Sequence, residues 1–162
     1  MAWMPIAAPT NALPPRPVTV RAQSIPARHY FPEHSHGWNQ LVYAISGVLT
    51  VNVQTASFVI TPDQAVWLPT GTLHRVGSLL GVEFRSLWIA EEAGGRLPHD
   101  PGVFSISPLL QALIVEATAI AGQNDHGRYS STSAFVYAFR CEMGRSPQAY
   151  MRHRNTCAAS SL

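Results

Sequence analysis

The sequence predicts a mainly β domain, a sandwich or barrel of short strands, followed by short C-terminal α-helices. Three observations carry that expectation. Thirteen prolines and eleven glycines in 162 residues favour short elements joined by turns. Short runs of aliphatic and aromatic residues follow one another closely between residues 18 and 89. Beyond residue 105 the apolar residues recur at helical spacing instead. A hydrophobic content of 46% excludes a disordered chain, and the charged content of 12% is low. A chain of this length has room for one domain, or one domain plus a fragment, around a core that needs neither disulfide nor metal.

Residues 1–16 read as a flexible tail. Prolines at 5, 9, 14 and 15 interrupt every apolar run, and the basic start of a secretory signal is missing. Val18, Val20 and Ala22 then alternate with polar residues, as in a half-buried strand. LVYAI (41–45) is a second strand, and VLTVNV (48–53) a third, with Leu49, Val51 and Val53 on one face. SFVI (57–60), AVWL (65–68), LHRV (73–76) and VEFRSLWI (82–89) complete the set. The turns between them are Ser46-Gly47, Thr61-Pro62-Asp63, Pro69-Thr70-Gly71 and Gly81. Strands so short and so closely spaced close into a sandwich or barrel over residues 17–90.

Residues 91–121 form a linker and an amphipathic helix. EEAGGRLPHDPG (91–102) is a polar connector. Ile106, Leu109, Leu110, Leu113, Ile114, Ala117 and Ile120 then make a helical stripe, with Ser107-Pro108 as cap and first-turn proline. GQNDHG (122–127) breaks it. Ala134, Phe135, Ala138 and Phe139 make a second stripe stopped by Gly144, and Ser146-Pro147 opens a last short helix. The apolar face of helix 106–120 is large for this chain and predicts self-association into a homodimer.

Charge is unevenly divided. The chain has no lysine and a net charge of +2. Residues 127–162 hold Arg128, Arg140, Arg145, Arg152 and Arg154 against Glu142 alone, an excess that attracts polyanions. Residues 34–62 carry no Asp, Glu, Arg or Lys, yet polar residues and glycine interrupt them too often for a membrane-spanning helix, so no membrane partner is expected. Two cysteines, Cys141 and Cys157, suit neither a disulfide framework nor a cysteine zinc site, and a reducing cytoplasm is the expected location.

The chemistry-bearing residues fall into two groups. His34 and His36 are two apart, so on a strand both point one way, and His74 closes the string Pro69-x-Gly71-x-x-His74. Three imidazoles converging inside a barrel can hold a divalent transition metal (zinc, nickel, iron or manganese). Otherwise they line a ligand pocket or satisfy interior hydrogen bonds. His34-x-His36 with Gln40 and Gly47 resembles the first motif of the cupins, and the second string resembles their second. That resemblance implies a cupin, the double-stranded β-helix or jelly-roll barrel. Metal-binding cupins usually place a glutamate where Gln40 stands here, which makes Gln40 a weaker ligand candidate. Trp38, Tyr43, Trp67 and Trp88 are the aromatic candidates for the wall of an apolar pocket, though aromatics in short strands also serve as plain core.

The second group is C-terminal. Tyr129-Ser-Ser-Thr-Ser-Ala-Phe-Val-Tyr-Ala-Phe-Arg140, then Gly144-Arg-Ser-Pro147, Tyr150 and Arg152, resembles the end of an AraC/XylS-type DNA-binding domain. The upstream strings H-S-H-x-W-x-Q-L-V-Y, A-V-W-L-P-x-G-x-x-H and I-S-P-L-L-Q-A-L-I-V-E are similar to the sensor half of the same regulators. The resemblance spans residues 17–154 and implies a transcriptional regulator whose cupin sensor binds a small-molecule effector. Residues 127–155 would be the remnant of its helix-turn-helix domain. Small hydroxyls from Ser130 to Ser133, Ser131 among them, would meet phosphate, and Thr132, Ser133 and Tyr137 would face base edges. Arg140, Arg145, Arg152 and Arg154 would contact phosphates.

The chain passes from the linker helix straight into that last recognition helix. The resemblance therefore implies an internal deletion near 121–128, with Arg128 where the family usually has glycine. A recognition helix without its supporting helices predicts at most weak, salt-sensitive, sequence-indifferent DNA binding. The alternative reading is a small metal-dependent cupin enzyme, a dioxygenase or an isomerase.

Overall fold

The computed structural model describes residues 2–8, 18–93, 98–123 and 128–129. Eleven strands and one helix follow in chain order: β1 (Met4–Pro5), β2 (Val18–Ile25), β3 (His29–His34), β4 (Asn39–Gly47), β5 (Leu49–Val53), β6 (Ala56–Ile60), β7 (Gln64–Leu68), β8 (His74–Ser78), β9 (Val82–Ile89), β10 (Gly102–Ser105), α1 (Pro108–Gln123) and β11 (Arg128–Tyr129). A single 3-10 turn occupies Glu91–Ala93. One sheet has the order β1-β3-β8-β5-β6 and the other β10-β7-β4-β9-β2-β11. Every pairing is antiparallel except β1 with β3. The two sheets face one another as the double-stranded β-helix that the cupin resemblance implies.

Strand alternation decides what lies inside. On β4, Val42 and Ala44 point between the sheets, where they meet Leu49, Val51, Val66 and Phe84. The opposite phase, Leu41 and Tyr43, faces outward beneath α1. There Ile106, Leu110 and Ile114 are buried with Val18, Val20 and Leu87. The second sheet is thus covered on both faces at its centre, where β4 and β7 are buried almost throughout. The helical stripe that predicted self-association spends Ile106, Leu110 and Ile114 on this chain's own sheet.

Turns fix the frame. Gly47 has φ +79°, and a Cβ there would stand 2.2 Å from the Gly81 carbonyl oxygen, so the β4–β5 turn passes the β8–β9 turn only as glycine. Ser107 caps α1 as expected: its Oγ accepts from the Leu110 N–H at 3.2 Å. The Ile106 N–H donates to the Asp63 carbonyl, which seats the helix start on the β6–β7 turn. Ser107→Ala is expected to lower stability by about 1 kcal/mol, read by chemical denaturation, with no change in the barrel. An unchanged midpoint would show that the cap contributes nothing.

Several expectations change. Residues 2–8 are not a free tail: Met4 and Pro5 pair with His29 and Tyr30, and Ile6 and Ala8 pack against the inner core. The interrupting prolines did not prevent this, because a two-residue edge pairing makes few demands on N–H donors. The polar connector ends in β10, which pairs with β7 from Gly102↔Trp67 to Ser105↔Gln64, so the linker forms an edge of the barrel. The helix runs on to Gln123. Arg128 and Tyr129, expected at the approach to a recognition helix, form β11 against Thr19 and Val18. The helices expected over 130–155 lie outside the described residues. No helix among the described residues is long and apolar enough to cross a membrane.

Candidate functional site

Two loops bring the histidines together. β3 ends at His34, and a register shift between Phe31 and His34 sets His34 opposite His74, the first residue of β8. His36 lies past the strand end, so the expected same-strand geometry does not hold, yet its ring still converges on the other two. The Gly71 N–H donates to the His36 carbonyl at 2.8 Å. Asn39 Oδ1 accepts from the Thr70 N–H at 3.1 Å and from its hydroxyl at 3.3 Å. Gly71 has φ +78°, the left-handed conformation this tie requires. The Pro-Thr-Gly string therefore clamps one histidine loop to the other.

The ring centroids of His34 and His74 are 4.4 Å apart, those of His34 and His36 4.8 Å, and those of His36 and His74 5.3 Å. One ligating atom from each lies within 4.8 Å of the others. His34 Nδ1 is 2.6 Å from the Pro32 carbonyl and His74 Nδ1 is 2.8 Å from that of Thr72. A carbonyl only accepts, so each Nδ1 carries a hydrogen, and in the neutral His74 ring that leaves the lone pair on Nε2. His74 Nε2 is buried and has no hydrogen-bond partner.

Burial governs the protonation of the cluster. His36 is lowered to about 4, first by desolvation and then by the neighbouring His34 and His74. His74 is also lowered to about 4: desolvation dominates, His34 adds to it, and the hydrogen bond to the Thr72 carbonyl opposes it. Both stay neutral at pH 7, the form that ligates a metal or accepts a hydrogen bond.

Aromatic rings and a buried polar network complete the site. His36 stacks on Trp38 with centroids 4.9 Å apart and planes at 10°. Trp38 and Trp88 are also 4.9 Å apart. Ser86 Oγ accepts from Gln40 Nε2 at 2.7 Å and from Trp88 Nε1 at 3.0 Å. Gln40 Oε1 and Trp38 Nε1 are buried without a partner. His34, His36, Gln40 and Trp88 border a small cleft, partly open to solvent, whose wall also includes Gln23, Phe31, Val42, Val76 and Phe84.

The structure thus joins His34, His36, Gln40, His74, Trp38 and Trp88. It separates Tyr43 and Trp67, which lie on the outer face of the second sheet in the cluster under α1. The Trp67 indole donates to the Pro98 carbonyl at 2.9 Å. Strand parity is the reason: Leu41 pairs with Trp67 and faces out, whereas Gln40 pairs with Trp88 and faces in. Ser131, Thr132, Ser133, Tyr137, Arg140, Arg145 and Arg152 lie outside the described residues. Sequence reasoning missed Ser86, Gln23 and Arg21. The last two occupy the polar phase of β2, which reads as a solvent face until α1 is seen to cover the apolar phase.

Residues 17–127 match the family model described as the AraC-like ligand binding domain. The HTH-type transcriptional regulator NimR of Escherichia coli (strain K12) is 33% identical over 84 residues, covering 52% of this chain and 30% of NimR. The crystal structure of unsaturated fatty acid bound wild-type ToxT from Vibrio cholerae strain SCE256 superposes with a TM-score of 0.53 at 11% identity, covering 67% of this chain and 48% of ToxT. A cupin superfamily protein of Desulfitobacterium hafniense DCB-2 gives a TM-score of 0.45 at 12% identity over 53% of this chain and 84% of that one. The chain spans about a third of the length of the curated relative it matches.

Proposed function

The chain belongs to the AraC-like ligand-binding domain family, and from that premise we propose that its barrel is the sensor of a ligand-responsive transcriptional regulator. A small-molecule effector occupies the cleft between the sheets and biases a C-terminal DNA-contacting end in a homodimer. The observation that carries this reading is the unmet hydrogen-bonding capacity inside the barrel. Gln40 Oε1, Trp38 Nε1 and His74 Nε2 are all buried and all unpaired. Native interiors rarely leave such groups without a partner, and a bound ligand supplies one. A thermal-shift screen of small metabolites tests it. The expected result is a compound that raises the melting temperature of the wild type and loses that effect in Gln40→Leu. Compounds that act equally on both proteins would remove the cleft from the reading.

DNA contact in this proposal falls to residues 129–154. Any such binding is expected to be weak, indifferent to sequence and steeply reduced by salt. Gel-shift titrations at two salt concentrations check it, and tight binding to one defined operator at physiological salt would contradict it.

The histidine cluster supports a second reading, a metal-dependent cupin enzyme. The donor set fits a divalent transition ion: His34, His36 and His74 would hold it through Nε2, leaving positions open. Such an ion would act as a Lewis acid toward a bound oxygen ligand. Titration with zinc, nickel, manganese or iron is expected to give one equivalent bound. His74→Ala should weaken it by more than about 100-fold, beyond the usual effect of losing an outer-shell partner. Equal affinity in His74→Ala would dissociate the cluster from metal binding.

A further inference from the structure

Ser86 lies mid-strand in β9 and is fully buried. Its hydroxyl oxygen meets two donors. The Trp88 indole N–H, which can only donate, reaches it at 3.0 Å, and the Gln40 side-chain nitrogen reaches it at 2.7 Å. Both lone pairs of the oxygen are thus engaged. The register explains the meeting: Gln40 pairs with Trp88 across the β4–β9 ladder, and Ser86 lies two residues along on the same face. The Gln40 amide turns its nitrogen to Ser86, which leaves Oε1 on the other side, buried and without a partner. Gln40 borders the same cleft as His34 and His36, a space with room for little more than a water molecule. His74 completes the group, its ligating atom within 4.8 Å of those of the other two histidines.

Three imidazoles and one amide oxygen, with no carboxylate among them, therefore gather at one small space. We propose that Ser86 is the positioning residue of this cluster for a divalent transition ion. Pinned as an acceptor by Trp88, it holds the Gln40 amide so that Oε1, and not the NH2 group, is offered beside His34, His36 and His74. The orientation decides the chemistry. An amide oxygen has lone pairs to give a metal, whereas the NH2 group presents only hydrogens and would repel the ion. Ser86 itself supplies no ligand; it is an outer partner that fixes which atom of the neighbouring side chain an ion meets. The same arrangement explains why a buried carbonyl oxygen is left without a hydrogen-bond donor, a rare condition in a native interior. The inference rests on the metal-binding reading of the histidine cluster and adds to it a fourth donor and the group that aims it.

The test uses the full chain and cobalt(II), whose visible absorption reports the donors around it, with zinc as competitor for the affinity. The wild type is expected to bind one equivalent. Gln40→Ala should change the cobalt spectrum and weaken binding about tenfold or more. Ser86→Ala should reproduce both changes, and the double variant should lose no more than either single one, because the two side chains act as a unit. A Ser86 that served the fold alone would lower the melting temperature and leave the bound-cobalt spectrum as it was. Trp88→Phe keeps Ser86 and most of the ring but frees the hydroxyl to donate to Oε1; it should move the spectrum in the same direction, and it replaces Ser86→Ala should that protein not fold. A wild-type spectrum in Ser86→Ala, or in Trp88→Phe standing in for it, overturns the proposal, as do losses that add in the double variant. A wild-type spectrum in Gln40→Ala overturns it too and leaves a three-histidine site standing. No cobalt bound by the wild type overturns it together with the metal-binding reading, while the sensor reading still answers to the metabolite screen.

Discussion

Trp88→Ala is expected to destabilise the protein by about 3–5 kcal/mol, the usual loss for a large aromatic removed from a packed interior. For a domain of this size that is a fall of roughly 10 °C in melting temperature. Trp88 is 1% exposed, so almost all its surface is withdrawn from water on folding. Its ring also joins Arg21, Trp38 and His36, and its N–H donates to Ser86. Truncation opens a cavity and removes the shared wall of the cleft together. Trp88→Phe separates the two roles: it retains most of the ring and loses one hydrogen bond, an effect of about 1 kcal/mol. A melting temperature unchanged in Trp88→Ala would show that the indole is not part of the core, and the stack described here would have no support.

Acid should unfold the metal-free protein through the histidine cluster. In the unfolded chain His74 takes up a proton near pH 6.5; in the folded protein it does so only near pH 4. Between those values the unfolded state binds more protons, so stability falls as pH drops from 6.5 toward 4 and levels off below. Above pH 6.5 both states are neutral and the contribution vanishes. The size is about 3 kcal/mol for His74. His36 acts in the same direction and in the same window but adds less, because it is only half-buried and water screens it. Urea denaturation between pH 7.5 and 4 is the measurement. His74→Gln should flatten most of the slope, and a wild-type midpoint constant over that range would place His74 in contact with water.

The strands were legible because their apolar content exceeds what turns tolerate. Leu49 and Val51, read as one face from alternation alone, are both fully buried in the inner core. The histidine cluster was legible because its motif is a backbone device: Gly71 ties one loop to the other and shows in the sequence, whereas the Asn39 clamp on Thr70 does not. What stayed hidden depends on which side of a sheet is covered. Tyr43 and Trp67 look like pocket aromatics, but only the register pairing Leu41 with Trp67 shows that they point away from the cleft. Arg21 and Gln23 hid for the converse reason, since a polar phase normally means solvent. Met4–Pro5 and Gly102–Ser105 were missed because edge strands this short are fixed by the neighbour they pair with, not by their own propensities.

One pairing has a kinetic meaning. β2 opens the barrel and finds its main partner in β9, from Val18↔Ile89 to Ile25↔Val82. The β5–β6 hairpin involves near neighbours, but this seam joins chain positions separated by most of the domain. Its loop-closure entropy has to be overcome before the contact returns any free energy, which makes this pair one of the costlier ones to bring together. During synthesis β2 must wait without its main partner until Ile89 has left the ribosome, and its apolar flank until α1 follows.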